Sequence, residues 1–160
     1  MIGDLLEITA TIRKAVSEDR TPVAEMRFAL WPDEPFDEHL AEFDLLLATG
    51  MSGTLPAITF VAEDSHGDLI GFLNVSLRSH ADGCDTRQPV GYIEGWYVRE
   101  TLRNCGIGKG LVRAAEGWAR DQGCIEMASD ALFDNQTSLA AHEALGYQVV
   151  DRCFHFRKPL

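Results

Sequence analysis

A polar segment rich in glycine and basic residues separates a strand-like run from an amphipathic run and has the composition of an anion-binding turn. Gly106 and Gly108 lack a Cβ atom, so the backbone can approach a ligand closely. The free N–H groups of a helix beginning near Ile107 would point at that ligand. Residues 97–113 contain four basic residues and one acid, a local charge of +3 in a chain of net charge −11. The segment therefore predicts a phosphate or pyrophosphate site.

Two other phosphate-binding patterns fit this segment poorly. A Walker loop requires Ser or Thr after its lysine, but Gly110 follows Lys109, and Arg103 stands where that loop has its first glycine. The dinucleotide fingerprint requires a third glycine at the position of Leu111. A simple alternative is that the glycines only form a turn before a core helix.

Carboxylates in three places could attract a cationic substrate. Glu94 lies in the middle of a predicted strand, where a carboxylate is costly unless it meets a cation or hydrogen-bond donors. Asp130 follows a short predicted strand at its carboxyl end, where ligands bind in open α/β sheets, although a turn cap is the alternative. Residues 33–44 contain six acids and no Lys or Arg, and a solvated helix face is the alternative for each. These acids are Asp33, Glu34, Asp37, Glu38, Glu42 and Asp44.

Two motifs resemble those of the GNAT acyltransferase superfamily. Residues 103–108, Arg-Asn-Cys-Gly-Ile-Gly, are similar to its (Gln/Arg)-x-x-Gly-x-(Gly/Ala) loop, which wraps the pyrophosphate of CoA. The superfamily's closing pattern, Asn-x-x-Ala-x-x-x-Tyr-x-x-x-Gly-Phe, has the same spacing as Asn135, Ser138, His142, Gly146 and Tyr147. The resemblance implies the GNAT fold, an α/β (α+β) architecture with a mixed, mostly antiparallel twisted sheet flanked by about four helices.

Further strings, spread along nearly the whole chain, resemble the aminoglycoside 6′-N-acetyltransferases of this superfamily. They are Met26-Arg27 with Leu30-Trp31-Pro32, the run Gly91–Val98, Ala128-Ser129-Asp130 with Asp134-Asn135, and Phe156-Arg157-Lys158. The resemblance implies transfer of an acetyl group from acetyl-CoA to the 6′-amine of an aminoglycoside antibiotic, a polycationic substrate, with resistance as the result. It also implies a homodimer.

The resemblance implies roles for individual residues. Glu94 and Asp130 would orient the substrate amine and accept its proton, directly or through water. Trp31 would line the sugar site, with a core position as its alternative, and Asp151 would contact substrate unless it is an edge-strand charge. Acetyl-CoA would be bound by Trp96, Tyr97, Val98, Arg103, Asn104, Cys105, Gly106, Ile107, Gly108, Lys109 and Asn135.

The expected mechanism is direct attack by a neutral amine on the thioester. No Cys-His or Ser-His-Asp arrangement is evident, and a backbone N–H near Tyr97 or Val98 would stabilise the oxyanion. His142 stands where many members have a tyrosine thought to protonate the thiolate. A packing or hydrogen-bonding role is the alternative for this histidine.

One mixed α/β domain spanning residues 1–160 must position these residues, because no linker or repeat interrupts the sequence. Periodicity and capping residues predict helices over 21–31, 36–49, 107–122 and 135–145. Alternating or continuous apolar runs predict strands over 8–16, 57–63, 69–77, 90–98, 124–129 and 147–156, of which 124–129 should be buried.

Composition excludes several classes of protein. A net charge of −11 argues against a nucleic-acid surface. No signal peptide or membrane-spanning apolar run is evident, so we expect no membrane association. The four cysteines have neither zinc-ligand nor CxxC spacing, which predicts reduced thiols in the cytoplasm and no metal.

Two alternative functions remain at this level. The first is a GNAT enzyme that acetylates a polyamine, a peptide amine or another small cation. The second is a non-catalytic acetyl-CoA-binding regulatory domain, which His142 in place of tyrosine would favour.

Overall fold

The computed structural model describes residues 9–160, and its centre is a mixed six-stranded sheet. The strands are β1 (Thr11–Lys14), β2 (Met51–Ser52), β3 (Leu55–Glu63), β4 (Leu69–Arg78), β5 (Val90–Val98) and β6 (Met127–Ser129). Their order across the sheet is β1-β3-β4-β5-β6, and β2 pairs with the start of β3. Neighbours are antiparallel except for β5 and β6, which are parallel. The expected mixed, mostly antiparallel fold class is confirmed.

Helices cover both faces of this sheet. They are α1 (Arg20–Leu30), α2 (Phe36–Thr49), α3 (Ile107–Asp121) and α4 (Gln136–Ala144). Phe72 and Leu73 are consecutive on β4 and point to opposite faces, as the pleat requires. Phe72 packs with residues of α1 and α2, whereas Leu73 packs with residues of α3. The central strands are thus buried on both sides.

The four helix predictions are confirmed to within one residue at each end. The start of α3 and its inward face follow the apolar stripe seen in the sequence, with Ile107, Leu111 and Ala115 buried. Gly50 ends α2 in the left-handed conformation, at φ 64°, which glycine adopts without steric cost. Within residues 9–160, no helix has the combined length and apolarity needed to cross a membrane.

The predicted last strand, 147–156, is wrong. Residues 148–160 are exposed and form no ladder with the described part of the sheet, and Phe154 and Phe156 are 88% and 94% exposed. An alternating apolar pattern shows that a segment can line a sheet, but a strand also needs a partner edge. The edge strand β6 is only three residues long and pairs on one side with β5.

Two other predicted strands are longer than those observed. The first, 8–16, is reduced to β1, because β3 ends at Glu63 and so offers no partner before Thr11. Residue 8 lies outside the described residues. The strand predicted over 124–129 is reduced to β6, since Cys124 donates its N–H to the carbonyl of Ala119 and thereby completes the end of α3. The residues of β6 are half-buried, not buried as expected.

Candidate active site

Glu94 is the extra residue of a β-bulge between β4 and β5. Asn74 lies opposite Gly95 and Val75 lies opposite Ile93, so Glu94 has no Cα partner on β4. A bulge bends its strand and changes the direction of a side chain. Here it breaks the alternation of β5 next to a half-buried carboxylate. The sequence predicted the carboxylate but gave no sign of the bulge.

The parallel strands β5 and β6 are paired over only three positions. Gly91, Tyr92 and Ile93 pair with Met127, Ala128 and Ser129, after which β6 ends and β5 continues to Val98. Among the described strands, none pairs with this side of β5 beyond Ile93. On this side, the main-chain groups of residues 94–98 therefore have no strand partner among the described residues, as the expected oxyanion donor near Tyr97 and Val98 requires.

The predicted pyrophosphate turn follows β5 directly. Asn104 and Gly106 both have left-handed backbones, at φ 64° and 81°, and asparagine is among the few other residues that tolerate this region. Gly106 is the N-cap of α3 and has no side chain to cover the first N–H groups of the helix. A Cβ atom built on Gly106 would meet no atom within 4 Å. The turn is thus open to a ligand.

In this turn, the Arg103 side chain binds back to the strand, whereas the side chains of Cys105 and Lys109 are exposed. Arg103 donates from Nε to the carbonyl of Val98 at 3.0 Å, and so ties the turn back to the end of β5. Its guanidinium lies 5.8 Å from the ring centre of Tyr97. Cys105 and Lys109 are exposed at the turn and in the first turn of α3. Lys109 is therefore free to reach a bound anion.

Trp96 connects the turn to α4. A Cβ atom at Gly108 would lie 2.8 Å from the Trp96 ring, so glycine at this position lets the indole pack on the first turn of α3. The ring also contacts His142, edge-on at 5.4 Å between centroids. The Trp96 Nε1 atom is buried and has no hydrogen-bond partner among the described residues.

His142 is a bridging residue in this structure. Its Nδ1 lies 2.7 Å from the carbonyl of Ser138 and must donate there, because a carbonyl oxygen only accepts. In the neutral ring, Nε2 then accepts from the hydroxyl of Ser129 at 2.9 Å. Ser129 is the last residue of β6, so His142 ties α4 to the strand end that precedes Asp130. This geometry is that of the hydrogen-bonding alternative.

The Glu94 carboxylate is bound by side chains from β4. Arg78 donates to it in a bidentate pair, from Nε at 2.9 Å and from Nη2 at 2.6 Å, and the Ser76 hydroxyl donates at 2.5 Å. The Arg78 guanidinium also lies over the ring of Tyr92, 3.4 Å from its centre. Hydrogen bonding to Glu94 raises the pKa of Arg78, and the charge of Asp130 adds to this shift. Sequence reasoning missed Arg78, Ser76 and Tyr92.

Asp130 lies in the same electrostatic environment but is exposed. Burial raises the pKa of Tyr92 to about 12, and the negative charge of Asp130 adds to that increase, while Arg78 opposes it. The structure therefore brings Glu94 and Asp130 around one tyrosine and one arginine. A signal for this group was present in the sequence, since Asn74, Ser76 and Arg78 alternate along an otherwise apolar strand.

Trp31 packs beside the bulge. A Cβ atom at Gly95 would overlap its ring, so only glycine allows this contact next to Glu94. The ring is stacked on buried His39, with centroids 6.3 Å apart, and the Arg27 guanidinium lies 5.1 Å from its centre. Trp31 remains half-buried. The predicted sugar-lining residue is thus adjacent to the predicted carboxylate.

The two remaining predicted site residues, Asn135 and Asp151, each accept a hydrogen bond from a main-chain N–H close to them in sequence. Asn135 is the N-cap of α4, and its Oδ1 accepts the N–H of Ser138 at 3.0 Å. Asp151 is exposed in the segment that forms no strand, and its Oδ1 accepts the N–H of Arg152 at 2.6 Å. Among the described contacts, none joins Asp151 to Glu94 or Asp130.

Proteins of known activity resemble this chain over nearly its full length. A relative from Klebsiella aerogenes, named aminoglycoside N(6′)-acetyltransferase type 1, is 38% identical over 157 residues, 97% of this chain and 100% of the relative. A relative of the same name from Stenotrophomonas maltophilia is 37% identical and covers 94% of each chain.

Solved structures agree with these relatives. The aminoglycoside 6′-N-acetyltransferase AAC(6′)-Ih from Acinetobacter baumannii superimposes with a TM-score of 0.82 at 32% identity, covering 95% of this chain and 99% of that one. AAC(6′)-Iy in complex with a CoA-acetylneamine bisubstrate analogue has a TM-score of 0.85 at 33% identity, with coverages of 95% and 99%. The family model described as "Acetyltransferase (GNAT) family" matches residues 15–147. The chain therefore belongs to the GNAT acetyltransferase family.

Proposed function

We propose that this enzyme transfers the acetyl group of acetyl-CoA to the 6′-amine of an aminoglycoside and thereby confers resistance to the antibiotic. The observation that carries the proposal is the position of Glu94 at a bulge of β5, directly after the last residue of that strand that pairs with β6. Support also comes from the relatives, whose names specify N(6′)-acetylation of aminoglycosides. One end of the site suits an anionic cofactor and the other suits a cationic amine.

Acetyl-CoA would bind along the turn and the open edge of β5. The uncapped N-terminus of α3 and the space beside Gly106 suit a pyrophosphate, with Arg103 and Lys109 nearby. The pantetheine arm would lie against residues 96–98, next to the Trp96 ring, whose buried Nε1 has no hydrogen-bond partner among the described residues. Asn104, Cys105, Ile107, Gly108 and Asn135 complete the proposed cofactor site. The reaction as proposed needs no metal.

The amine would be held on the opposite side of the strand end. The Trp31 ring offers an apolar surface to the sugar, while Glu94 and Asp130 bind ammonium groups. One of these carboxylates accepts a proton from the ammonium, and the neutral nitrogen then forms a bond to the thioester carbonyl carbon. A main-chain N–H near Tyr97 or Val98 stabilises the oxyanion. The C–S bond breaks, the nitrogen loses its second proton as the amide forms, and the leaving thiolate takes up a proton, so that the products are the amide and the thiol of CoA. We include Asp151 as a further substrate contact.

A panel of amines tests this proposal. Purified enzyme and acetyl-CoA are incubated with neamine, with spermidine or with a lysine-containing peptide, and thiol release and product mass are recorded. Neamine should be monoacetylated with the highest kcat/KM. Faster turnover of spermidine or of the peptide would contradict the proposed substrate and would identify that amine as the preferred one. Binding of acetyl-CoA by calorimetry without turnover of any amine would favour a non-catalytic sensor.

We further propose that residues 1–160 form one domain and that two copies associate as a homodimer in the cytoplasm. Large apolar side chains are exposed in two neighbouring segments, residues 132–133 and 149–160. The segments meet where the Arg152 guanidinium lies 5.4 Å from the ring centre of Phe133. Exposed apolar patches of this kind mark protein contacts. The four cysteines are unpaired thiols, which is consistent with a reducing compartment.

The dimer has a direct test. Sedimentation equilibrium should give twice the mass of the chain, and the double variant Phe154→Ser and Phe156→Ser should sediment as a monomer. The matched control is Leu45→Ser, an exposed apolar residue on α2 outside these segments. A wild-type monomer at micromolar concentration would contradict the proposed dimer.

A further inference from the structure

Arg78 is a cation of the protein itself that occupies the proposed amine site. It is the only exposed residue of β4, with 43% of its side chain accessible, and it forms a bidentate pair with Glu94. Its guanidinium is further stabilised by the face of Tyr92. A substrate ammonium that approaches Glu94 therefore meets a carboxylate whose two oxygens are already bound.

A guanidinium and an ammonium compete for the same oxygens. Oε1 of Glu94 accepts from both Ser76 and Arg78, and Oε2 accepts from Arg78, so three of the roughly four acceptor positions of the carboxylate are filled. The carboxylates of Glu94 and Asp130 carry one more negative charge than Arg78 neutralises. An incoming ammonium must displace Arg78 if it is to bind both oxygens of Glu94.

We propose that Arg78 competes with the substrate for Glu94 and so sets the minimum affinity that an amine needs to bind there. This inference rests on the proposed function. Displacement costs the same free energy for every amine, so it raises every KM by a common factor. The ratio of the KM values of two amines is unchanged by this cost. A sugar with several ammonium groups gains enough from other carboxylates to bind at low concentration despite the cost, whereas an amine with a single ammonium does not.

A purely structural role for Arg78 predicts the opposite sign. If the pair served to fix Glu94 in its catalytic position, removing Arg78 would raise KM or lower kcat. If Arg78 is a competitor, removing it lowers KM for cationic substrates. The sign of the change in KM therefore separates the two roles.

The experiment compares Arg78→Gln with Arg87→Gln at saturating acetyl-CoA. Arg87 is the matched control, because the same charge is lost from an 86% exposed side chain that pairs with Asp85 in the loop after β4. Arg78→Gln should lower KM about fivefold for neamine and for the single amine 6-amino-6-deoxyglucose, the effect of a partly exposed bidentate ion pair. Arg87→Gln should change both values less than twofold. An equal or higher KM in Arg78→Gln overturns the inference.

A second measurement keeps the test independent of the folding of one variant. In Arg78→Ala, millimolar guanidinium chloride should inhibit competitively with neamine, because the free ion can fill the vacated position on Glu94. The wild type should respond only as it does to sodium chloride at equal ionic strength. Recovery of lost activity by guanidinium would instead show that Arg78 positions Glu94. If the wild type does not acetylate neamine, the proposed function fails and this inference fails with it; if it does, only Arg78 is in question.

Discussion

At the scale of single residues, the chemistry of Glu94 depends on its neighbours across the strand. The sequence predicted that a carboxylate in the middle of a strand needs a cation or donors, and the structure supplies Arg78 and Ser76. The sequence shows Ser76 and Arg78 as alternating polar residues of one strand but does not show that they face Glu94, because the β4–β5 register and its bulge are set by contacts between distant residues. Asp130 and Trp31 were identified by resemblance, and the structure places them around the same strand end.

Removal of either proposed proton acceptor should slow the reaction without weakening cofactor binding. Glu94→Gln and Asp130→Asn should each lower kcat/KM for neamine about 100-fold, a typical loss for a general base. The Kd of acetyl-CoA, measured by calorimetry, should stay within about twofold, since both residues lie outside the pyrophosphate turn. Asp85→Asn serves as the charge-matched control and should retain full turnover. Unchanged turnover in both site variants would remove these residues from the mechanism.

At the scale of secondary structure, the helices could be predicted from the sequence more accurately than the strands. The helices could be predicted because a 3.6-residue stripe and a terminal glycine are properties of neighbouring residues, as in α2 and Gly50. The strand predicted over 147–156 failed because strand formation depends on an available edge far away in sequence. The turn over residues 103–108 was predicted correctly to precede a helix N-terminus, although the left-handed Asn104 was not foreseen. Its binding of pyrophosphate stays a prediction.

Two of the three glycines of α3, at positions 108 and 117, allow a matched test of the turn. A Cβ atom at Gly108 would meet the Trp96 ring at 2.8 Å, whereas one at Gly117 would meet nothing within 4 Å. Gly108→Ala should displace Trp96 and raise the Kd of acetyl-CoA about tenfold, a loss of about 1.4 kcal/mol. Gly117→Ala should leave this Kd unchanged and stabilise the fold by about 0.5–1 kcal/mol, as expected in a helix interior. Equal Kd values for both variants would argue against cofactor binding at the turn.

At the scale of the whole molecule, the acidic chain contains a few carboxylates that stabilise the fold. Burial opposes ionisation of Asp19, but hydrogen bonds from Arg13 and from the N–H of Val16 outweigh it, so the pKa of Asp19 is lowered. A carboxyl whose pKa is lower in the folded state stabilises that state above its unfolded pKa of about 4, and the contribution is lost as pH falls through the folded value.

Acid unfolding measures this contribution. Asp19→Asn should lower the free energy of unfolding by about 1–2 kcal/mol at pH 7, the cost of losing a hydrogen-bonded charge. The difference from wild type should shrink as the pH falls below about 4, because the carboxyl is then protonated in the unfolded chain while it is still ionised in the folded one. Asp121→Asn, at the exposed end of α3, is the control and should match wild type throughout. A difference that stays constant from pH 7 to pH 3 would show that the Asp19 charge is not responsible.

The position of the transferred acetyl group on neamine tests the proposed reaction most directly. Neamine has several amines, and only one of them should be held between Glu94, Asp130 and the thioester at the end of β5. Two-dimensional NMR of the product should show a single acetyl group on the 6′-nitrogen, with one thiol released per product formed. Acetylation at another amine, or a mixture of positions, would contradict the proposed placement of the substrate.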